Sequence, residues 1–209
     1  MGKRRWARAG IIVTVLAIFA AMAAAVGCEG KSGSPSSEKR SSQSAGEQSA
    51  VEIEGTIVAM GDSLTEGLGV SEEAAYPARL EKKLRAEGYP FRVINAGISG
   101  ETSSGTLSRT EWMLAIEPDI VILETGANDG LRGVDPAVTK QNIAEIIRIL
   151  HENNVVVVLA GMQMVRNLGR EYTDAFAAIY PELAREFDVV FIPFFLEGVA
   201  GNPDLNQDD

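Results

Sequence analysis

The chain has 209 residues, of which 45% are hydrophobic and 23% are charged, and its formal net charge is −10. This composition excludes a wholly disordered chain, a collagen and a polytopic membrane protein, and the length predicts one domain with a tail. The acidic balance and the lack of a basic patch argue against nucleic acid as a partner, because phosphates would be repelled. The single cysteine, Cys28, excludes an internal disulfide.

The first 28 residues have the pattern of an export signal. Lys3 to Arg8 form a positive start, residues 11–26 are apolar and uncharged, and small residues precede Cys28. This pattern resembles a bacterial lipoprotein signal, in which the cysteine becomes the lipidated first residue, and it predicts a membrane anchor at Cys28. An uncleaved anchor helix and an ordinary cleaved signal are the alternatives. All three place the folded body outside the cytoplasm, and the lipoprotein interpretation anchors it to the bacterial cell envelope.

Residues 29–50 are rich in Ser, Gly, Glu, Lys and Gln and contain almost no apolar side chains. Such a segment cannot bury enough surface to offset its ordering entropy, so its composition predicts a disordered tether. The sequence therefore divides into a signal segment at 1–28, a tether at 29–50 and a folded domain at 51–209.

From residue 56 onward, short apolar runs alternate with amphipathic stretches. Strands are predicted, in chain order, at 56–60, 91–95, 119–124, 155–160 and 189–194. Helices are predicted between successive strands; their marker residues are Tyr76, Leu80 and Leu84 for the first, the stretch 102–116 for the second, Ile143, Ile146, Ile147 and Leu150 for the third, and Tyr172, Phe176, Ile179 and Leu183 for the fourth. Continuous Val, Ile and Leu strands separated by helices indicate a parallel sheet covered on both faces. The expected fold is α/β, a three-layer α/β/α sandwich with a five-stranded parallel sheet in flavodoxin-like order.

Polar motifs follow the first three predicted strands, at residues 61–64, 96–102 and 125–130. The carboxyl ends of strands in an open parallel sheet share one edge, where ligands bind, so these motifs should meet in one crevice. Ser63 in the first motif offers a hydroxyl nucleophile, and Asn128 in the third offers an amide donor. A hydroxyl beside neutral donors is what acyl transfer needs, because its tetrahedral intermediate carries an oxyanion.

Each motif taken alone has an ordinary explanation. Gly-Asp-Ser after a strand is often a turn with a helix cap, and Asn-Asp-Gly is a common turn sequence. Three polar motifs at successive strand ends are much harder to explain in this way. Ser63 lacks the G-x-S-x-G surroundings of α/β-hydrolases, and the chain lacks the glycine-rich phosphate loops of dinucleotide and nucleoside triphosphate sites.

Together, the motifs resemble the GDSL, or SGNH, hydrolase family. The match rests on residues 61–64, on Gly100 within 98–102, and on 126–129. Residues 128–133 and 178–189 are similar to the subgroup of thioesterase I/lysophospholipase L1 and related arylesterases. The similarity extends over the whole body of the chain.

The resemblance implies specific roles. Ser63 would be the nucleophile that forms an acyl-enzyme, and the backbone N–H groups of Ser63 and Gly100 with the Asn128 amide would form the oxyanion hole. It implies no metal and no organic cofactor, and small acyl or aryl esters and thioesters as substrates. Two alternatives stay open, namely a carbohydrate O-acetyl esterase of the same family and a non-catalytic binding lipoprotein.

The last motif of the family is Asp-x-x-His, in which the histidine is the general base and the aspartate orients it. By position, Asp209 matches this catalytic aspartate, and the histidine would fall three residues later. The one histidine of the chain, His151, is predicted at the opposite edge of the sheet. We therefore expect a C-terminally incomplete domain that hydrolyses esters poorly, because loss of a histidine base costs several orders of magnitude in rate. A natural pseudo-enzyme is the alternative.

Two further expectations concern apolar side chains. Without a terminal helix, one face of the sheet should be partly uncovered and expose a patch near Ile57, Val121 and Phe191. Candidate side chains for a substrate groove are Leu68, Met162, Met164, Val165, Leu168 and Phe195.

Overall fold

A computed structural model describes residues 53–164 and 168–206. Five strands form one sheet: β1 (Gly55–Gly61), β2 (Phe91–Gly97), β3 (Ile120–Glu124), β4 (Val156–Ala160) and β5 (Val190–Ile192). Their order is β2-β1-β3-β4-β5, and every pair of neighbours is parallel. This order confirms the predicted flavodoxin-like sheet, with the switch in direction between β1 and β3.

Helices connect the strands. They are α1 (Ser63–Glu66), α2 (Tyr76–Ala86), α3 (Ser103–Leu114), α4 (Ala127–Leu131), α5 (Pro136–Glu152) and α6 (Arg170–Phe187), with short 3₁₀ turns at Glu72–Ala74 and Pro203–Leu205. Side chains at the N-termini of several helices cap their first turns. The Asp135 carboxylate accepts a hydrogen bond from the backbone N–H of Ala137 at 2.8 Å, and Pro136 occupies the first turn of α5.

The sheet is packed on both faces, which confirms the three-layer sandwich. On one face, Val58 and Val121 pack in a cluster with Ile143 and Ile147 of α5 and Phe176 of α6. On the other face, Ile57 and Ile122 pack with Leu80 and Leu84 of α2. Adjacent strand residues point to opposite faces, so a continuous apolar strand supplies both clusters.

The expected apolar patch on the sheet is wrong. Ile57 and Val121 are fully buried, and Phe191 is half-buried. The reason is that α2 covers one face while α5 and α6 cover the other, so the helices inside the described region already close both faces over β1 and β3. The edge strand β5, which carries Phe191, is half-buried.

Several predictions concern residues outside the described part of the chain. They are the signal segment at 1–28 with Cys28, the tether at 29–50, and Asp209. Within residues 53–164 and 168–206, no helix has both the length and the apolar character needed to cross a membrane. The domain boundaries remain predictions.

Candidate active site

Ser63 lies at the start of α1, directly after the carboxyl end of β1. Asp62 caps this helix, because its Oδ1 accepts a hydrogen bond from the backbone N–H of Leu64 at 3.0 Å. Asp62 is buried, whereas Ser63 is half-buried. The turn therefore fixes the backbone on both sides of a serine that a ligand can reach.

The side chain of Asn128 joins the three polar motifs. Its Nδ2 donates to Asp62 Oδ2 at 3.1 Å and to the backbone oxygen of Glu101 at 3.0 Å. Asp62 precedes Ser63 in the chain, and Glu101 follows Gly100. A single amide thus brings the loops after β1, β2 and β3 to one place, as the positions of the motifs predicted.

Gly100 supplies the second loop with a conformation that few other residues adopt. Its φ is +77°, in the left-handed region, and its carbonyl accepts a hydrogen bond from Arg132 Nη2 at 2.8 Å. Among the described residues, the backbone N–H groups of Ser63 and Gly100 donate to no backbone carbonyl. Both groups are therefore available to an oxygen atom of a ligand.

Glu124 lies beneath the Ser63 turn, and the sequence analysis missed it. This last residue of β3 is fully buried, and its Oε2 accepts hydrogen bonds from Asp62 N at 3.2 Å and from Thr65 Oγ1 at 2.8 Å. Burial, followed by the nearby Asp62 carboxyl, raises the pKa of Glu124 to about 8. A Cβ at Gly61 would lie 2.5 Å from Glu124 Oε2, so only glycine allows this approach.

Arg109 of α3 was also missed. Its Nε donates to both carboxylate oxygens of Glu101, at 2.8 and 3.0 Å, and its Nη2 donates to Glu101 Oε2 at 2.6 Å and to the Ala96 carbonyl at 2.8 Å. The same Nη2 lies 3.4 Å from the carbonyl oxygen of Gly61. Arg109 therefore ties the ends of β1 and β2 to the loop that contains Gly100. A single arginine on a helix gives no sequence signal of such a role, because helical periodicity identifies a face and not a partner.

A cavity of about 710 Å³ lies beside Ser63. Its walls are largely apolar and include Leu64, Leu68, Val70 and Leu196. It is wide enough for a small organic ligand.

The structure places the candidate groove residues in different surroundings. Leu68 lines the cavity, whereas Met162 is buried in the core and Met164 packs against that core. Phe195 packs edge-on against the Tyr76 ring, with the ring centroids 5.2 Å apart. Leu168 lines a different cavity beside α6, and Val165 lies outside the described residues. The prediction for Met162 is wrong because its side chain is 4% exposed and faces the core.

His151 lies far from this edge, as expected. It is exposed in the last turn of α5, just before β4 begins, and its ring centroid is 6.2 Å from that of Phe187. The amino ends of the strands lie on this side, so His151 does not join the Ser63 site.

Comparison with known proteins identifies relatives over the whole described body. A family model described as the GDSL-like lipase/acylhydrolase family matches residues 59–209. Esterase TesA of Pseudomonas aeruginosa is 41% identical over 155 residues, which cover 74% of this chain and 77% of that protein. Thioesterase 1/protease 1/lysophospholipase L1 of Escherichia coli is 42% identical over 155 residues, which cover 74% of this chain and 73% of that protein.

Solved structures agree with these sequence matches. The crystal structure of AlinE4, an SGNH-hydrolase family esterase, superposes with a TM-score of 0.72 at 43% identity and covers 74% of this chain and 84% of that chain. The crystal structure of TesA gives a TM-score of 0.71 at 41% identity and covers 74% of this chain and 86% of that chain.

Proposed function

The chain belongs to the GDSL-like lipase/acylhydrolase family, and from this membership we propose that it hydrolyses carboxylic esters and thioesters through an acyl-enzyme on Ser63. Its assignment as a serine hydrolase of esters follows from the family. The assignment of individual residues rests chiefly on one observation, the bridge that the Asn128 amide makes between the Ser63 turn and the loop that contains Gly100.

In the proposed reaction, Ser63 Oγ attacks the carbonyl carbon of the ester and gives its proton to a base. The carbonyl oxygen becomes an oxyanion, which the N–H groups of Ser63 and Gly100 and the Asn128 amide would stabilise. The bond to the leaving alcohol or thiol then breaks, and the leaving group takes up the proton. Water attacks the acyl-enzyme, releases the acid and regenerates Ser63.

The base of this reaction is not among the described residues. We keep Asp209 as the aspartate that would orient a histidine base, as the family motif implies. His151 is unsuited to either role because it is exposed at the other edge of the sheet.

The apolar side chains in the wall of the cavity beside Ser63, among them Leu64, Leu68 and Leu196, support an apolar acyl chain as the substrate group. With imidazole supplied as a base, p-nitrophenyl octanoate should be preferred over the acetate by about tenfold or more in kcat/KM, because each buried methylene contributes about 0.8 kcal/mol. Leu68→Ser should reduce this preference, whereas the control Val138→Ser, an exposed site outside the cavity, should preserve it. Equal rates for both esters would favour the O-acetyl esterase.

We also propose that Cys28 carries a lipid that anchors the protein to the bacterial cell envelope, outside the cytoplasm. The support is the sequence pattern of residues 1–28, followed by the tether at 29–50. Labelled fatty acid should be incorporated in the expressing cell and lost in Cys28→Ala, while Ser34→Ala should keep the label. Label that persists in Cys28→Ala would contradict the proposal.

A further inference from the structure

Glu124 contacts the nucleophile turn from below, on both sides of Ser63. Its Oε2 accepts hydrogen bonds from the backbone N–H of Asp62 and the hydroxyl of Thr65. One buried carboxyl oxygen therefore holds the residue before Ser63 and the second residue after it. The reaction described above gives this side chain no task.

The surroundings of the other oxygen, Oε1, indicate the protonation state of the Glu124 carboxyl. Among side-chain atoms of the described residues, Glu124 Oε1 is buried without any ordinary hydrogen-bond donor. The backbone N–H of Asp62 donates to Glu124 Oε2 at 3.2 Å, so the two residues are in direct contact, and the Asp62 carboxyl is one of the groups that raise the pKa of Glu124. An ionised Glu124 would leave a buried, charged Oε1 without a donor near a second carboxylate, whereas protonation removes that charge and makes the carboxyl a potential donor towards Asp62.

The proton belongs on Glu124 rather than on Asp62. Burial raises the pKa of both carboxyls, and each accepts two hydrogen bonds that favour its ionised form. In Asp62 these bonds satisfy both oxygens, Oδ1 from Leu64 N and Oδ2 from Asn128 Nδ2, whereas in Glu124 both fall on Oε2 and leave Oε1 without a donor. The pair therefore holds one proton and one negative charge around neutral pH.

We propose that Glu124 is a positioning residue for the nucleophile site: as a neutral acid it keeps its proton and donates a hydrogen bond to Asp62, which in turn orients the Asn128 amide beside Ser63. This inference rests on the proposed roles of Ser63 and Asn128. Loss of the proton places a second negative charge against Asp62 and breaks the chain of hydrogen bonds from Glu124 through Asp62 to Asn128.

The two tyrosine hydroxyls around Glu124 do not titrate in the same range. Tyr76 of α2 and Tyr180 of α6 face the pair, and burial raises the pKa of both hydroxyls above the ordinary value. Glu101 faces Asp62 from the loop after β2, and its carboxylate is paired with Arg109 at 2.6 Å. A transition near pH 8 at this site therefore belongs to the Asp62–Glu124 pair.

Nuclear magnetic resonance of the full chain tests the proposal without any need for turnover. We would follow the ¹³C carboxyl signals of glutamate and the side-chain amide of Asn128 from about pH 6 to about pH 9. One glutamate carboxyl should titrate with a midpoint near pH 8, and the Asn128 amide should shift with the same midpoint. If every glutamate carboxyl has finished titrating below pH 6, the proposal is overturned.

Glu124→Gln is the matched variant, because its amide N–H keeps a donor towards Asp62 and its oxygen keeps the acceptor. It should fold, lose the carboxyl transition and leave the Asn128 amide insensitive to pH. The control Glu111→Gln, at an exposed site on α3, should keep both transitions. An Asn128 amide that still shifts near pH 8 in Glu124→Gln would overturn the positioning role.

Ester hydrolysis gives a second and separable readout. With imidazole as a base, kcat should decline above pH 8 in the native chain and in Glu111→Gln, but not in Glu124→Gln, with KM unchanged in all three. If the resonances titrate as expected while Ser63→Ala hydrolyses as fast as the native chain, the proposed function fails and the proton assignment stands. A decline of kcat that persists in Glu124→Gln would count against the positioning role alone.

Discussion

Polar side chains differ in burial and hydrogen bonding between the two edges of the sheet. At the carboxyl edge, Asp62, Glu124 and Asp129 are buried and hydrogen-bonded across loops that are far apart in sequence. At the amino edge, His151 and Asn153 are exposed, and Asn153 bonds only one turn back, to the carbonyl of Ile149. Burying a carboxyl costs free energy unless its hydrogen-bond partners are in place. The polar groups at the carboxyl edge must therefore hold a fixed arrangement. These buried polar groups therefore distinguish the carboxyl edge as the candidate active site.

The strongest test of this comparison substitutes one residue at each edge of the sheet, Ser63 and His151, and compares the rates. With imidazole supplied as a base, Ser63→Ala should lower p-nitrophenyl acetate hydrolysis to the rate of imidazole alone, the largest effect expected here. His151→Gln should leave the rate unchanged, because this side chain is exposed at the other edge. A loss of activity in His151→Gln with Ser63→Ala still active would reverse the assignment of the site.

The ion pairs of the molecule offer a second contrast. The Arg109–Glu101 pair is nearly buried, with side-chain exposures of 15% and 8%, whereas the Lys140–Glu182 pair is exposed at 38% and 44%. Arg109→Met leaves the Glu101 carboxylate without its partner and should lower the free energy of unfolding by about 3–5 kcal/mol. Lys140→Met should cost less than about 1 kcal/mol in the same urea titration. Equal costs would show that Arg109 does not hold the site loops.

Asn128 and Asn153 provide a matched pair of amides, one at each edge. Asn128→Ala should lower kcat/KM by roughly 10²–10³-fold, because it removes one donor to the oxyanion. Asn153→Ala should leave the rate unchanged, since this amide caps the end of α5. Initial rates with p-nitrophenyl octanoate check both variants, and a small effect of Asn128→Ala would remove it from the oxyanion hole.

The last prediction is a pH dependence of stability that the buried Glu124 at the carboxyl edge supplies. The folded chain keeps a proton on Glu124 up to about pH 8, whereas the unfolded chain loses it near the ordinary value of 4.5. Stability from this group is therefore fully present below that ordinary value and declines as pH rises to about 8, by at most about 1.4 kcal/mol per pH unit. The difference in unfolding free energy between the native chain and Glu124→Gln should follow this slope, and a difference that is flat with pH would contradict it.

The sequence predicted what apolar runs and strand ends can reveal. Five strands, their order and the meeting of the Ser63, Gly100 and Asn128 loops follow from the burial pattern and from the geometry of parallel sheets. Glu124 was hidden because it ends an apolar strand, and nothing in a strand pattern shows that its last residue points under a distant turn. The patch expected at Ile57 and Val121 was wrong because a sequence shows which residues are apolar but not which helix covers them.

The bridge from Asn128 to Asp62 has a consequence for selectivity. In the resting site, the N–H that an oxyanion needs already has a charged acceptor, Asp62 Oδ2, at 3.1 Å. The neutral carbonyl of an intact ester is a weaker acceptor than a carboxylate and competes poorly for this hydrogen, whereas the negatively charged oxygen formed on attack competes on equal terms. In the role proposed for Asn128, this internal competitor would make the contact conditional on reaction progress, so that the contact would lower the barrier without tightening the binding of unreacted substrate.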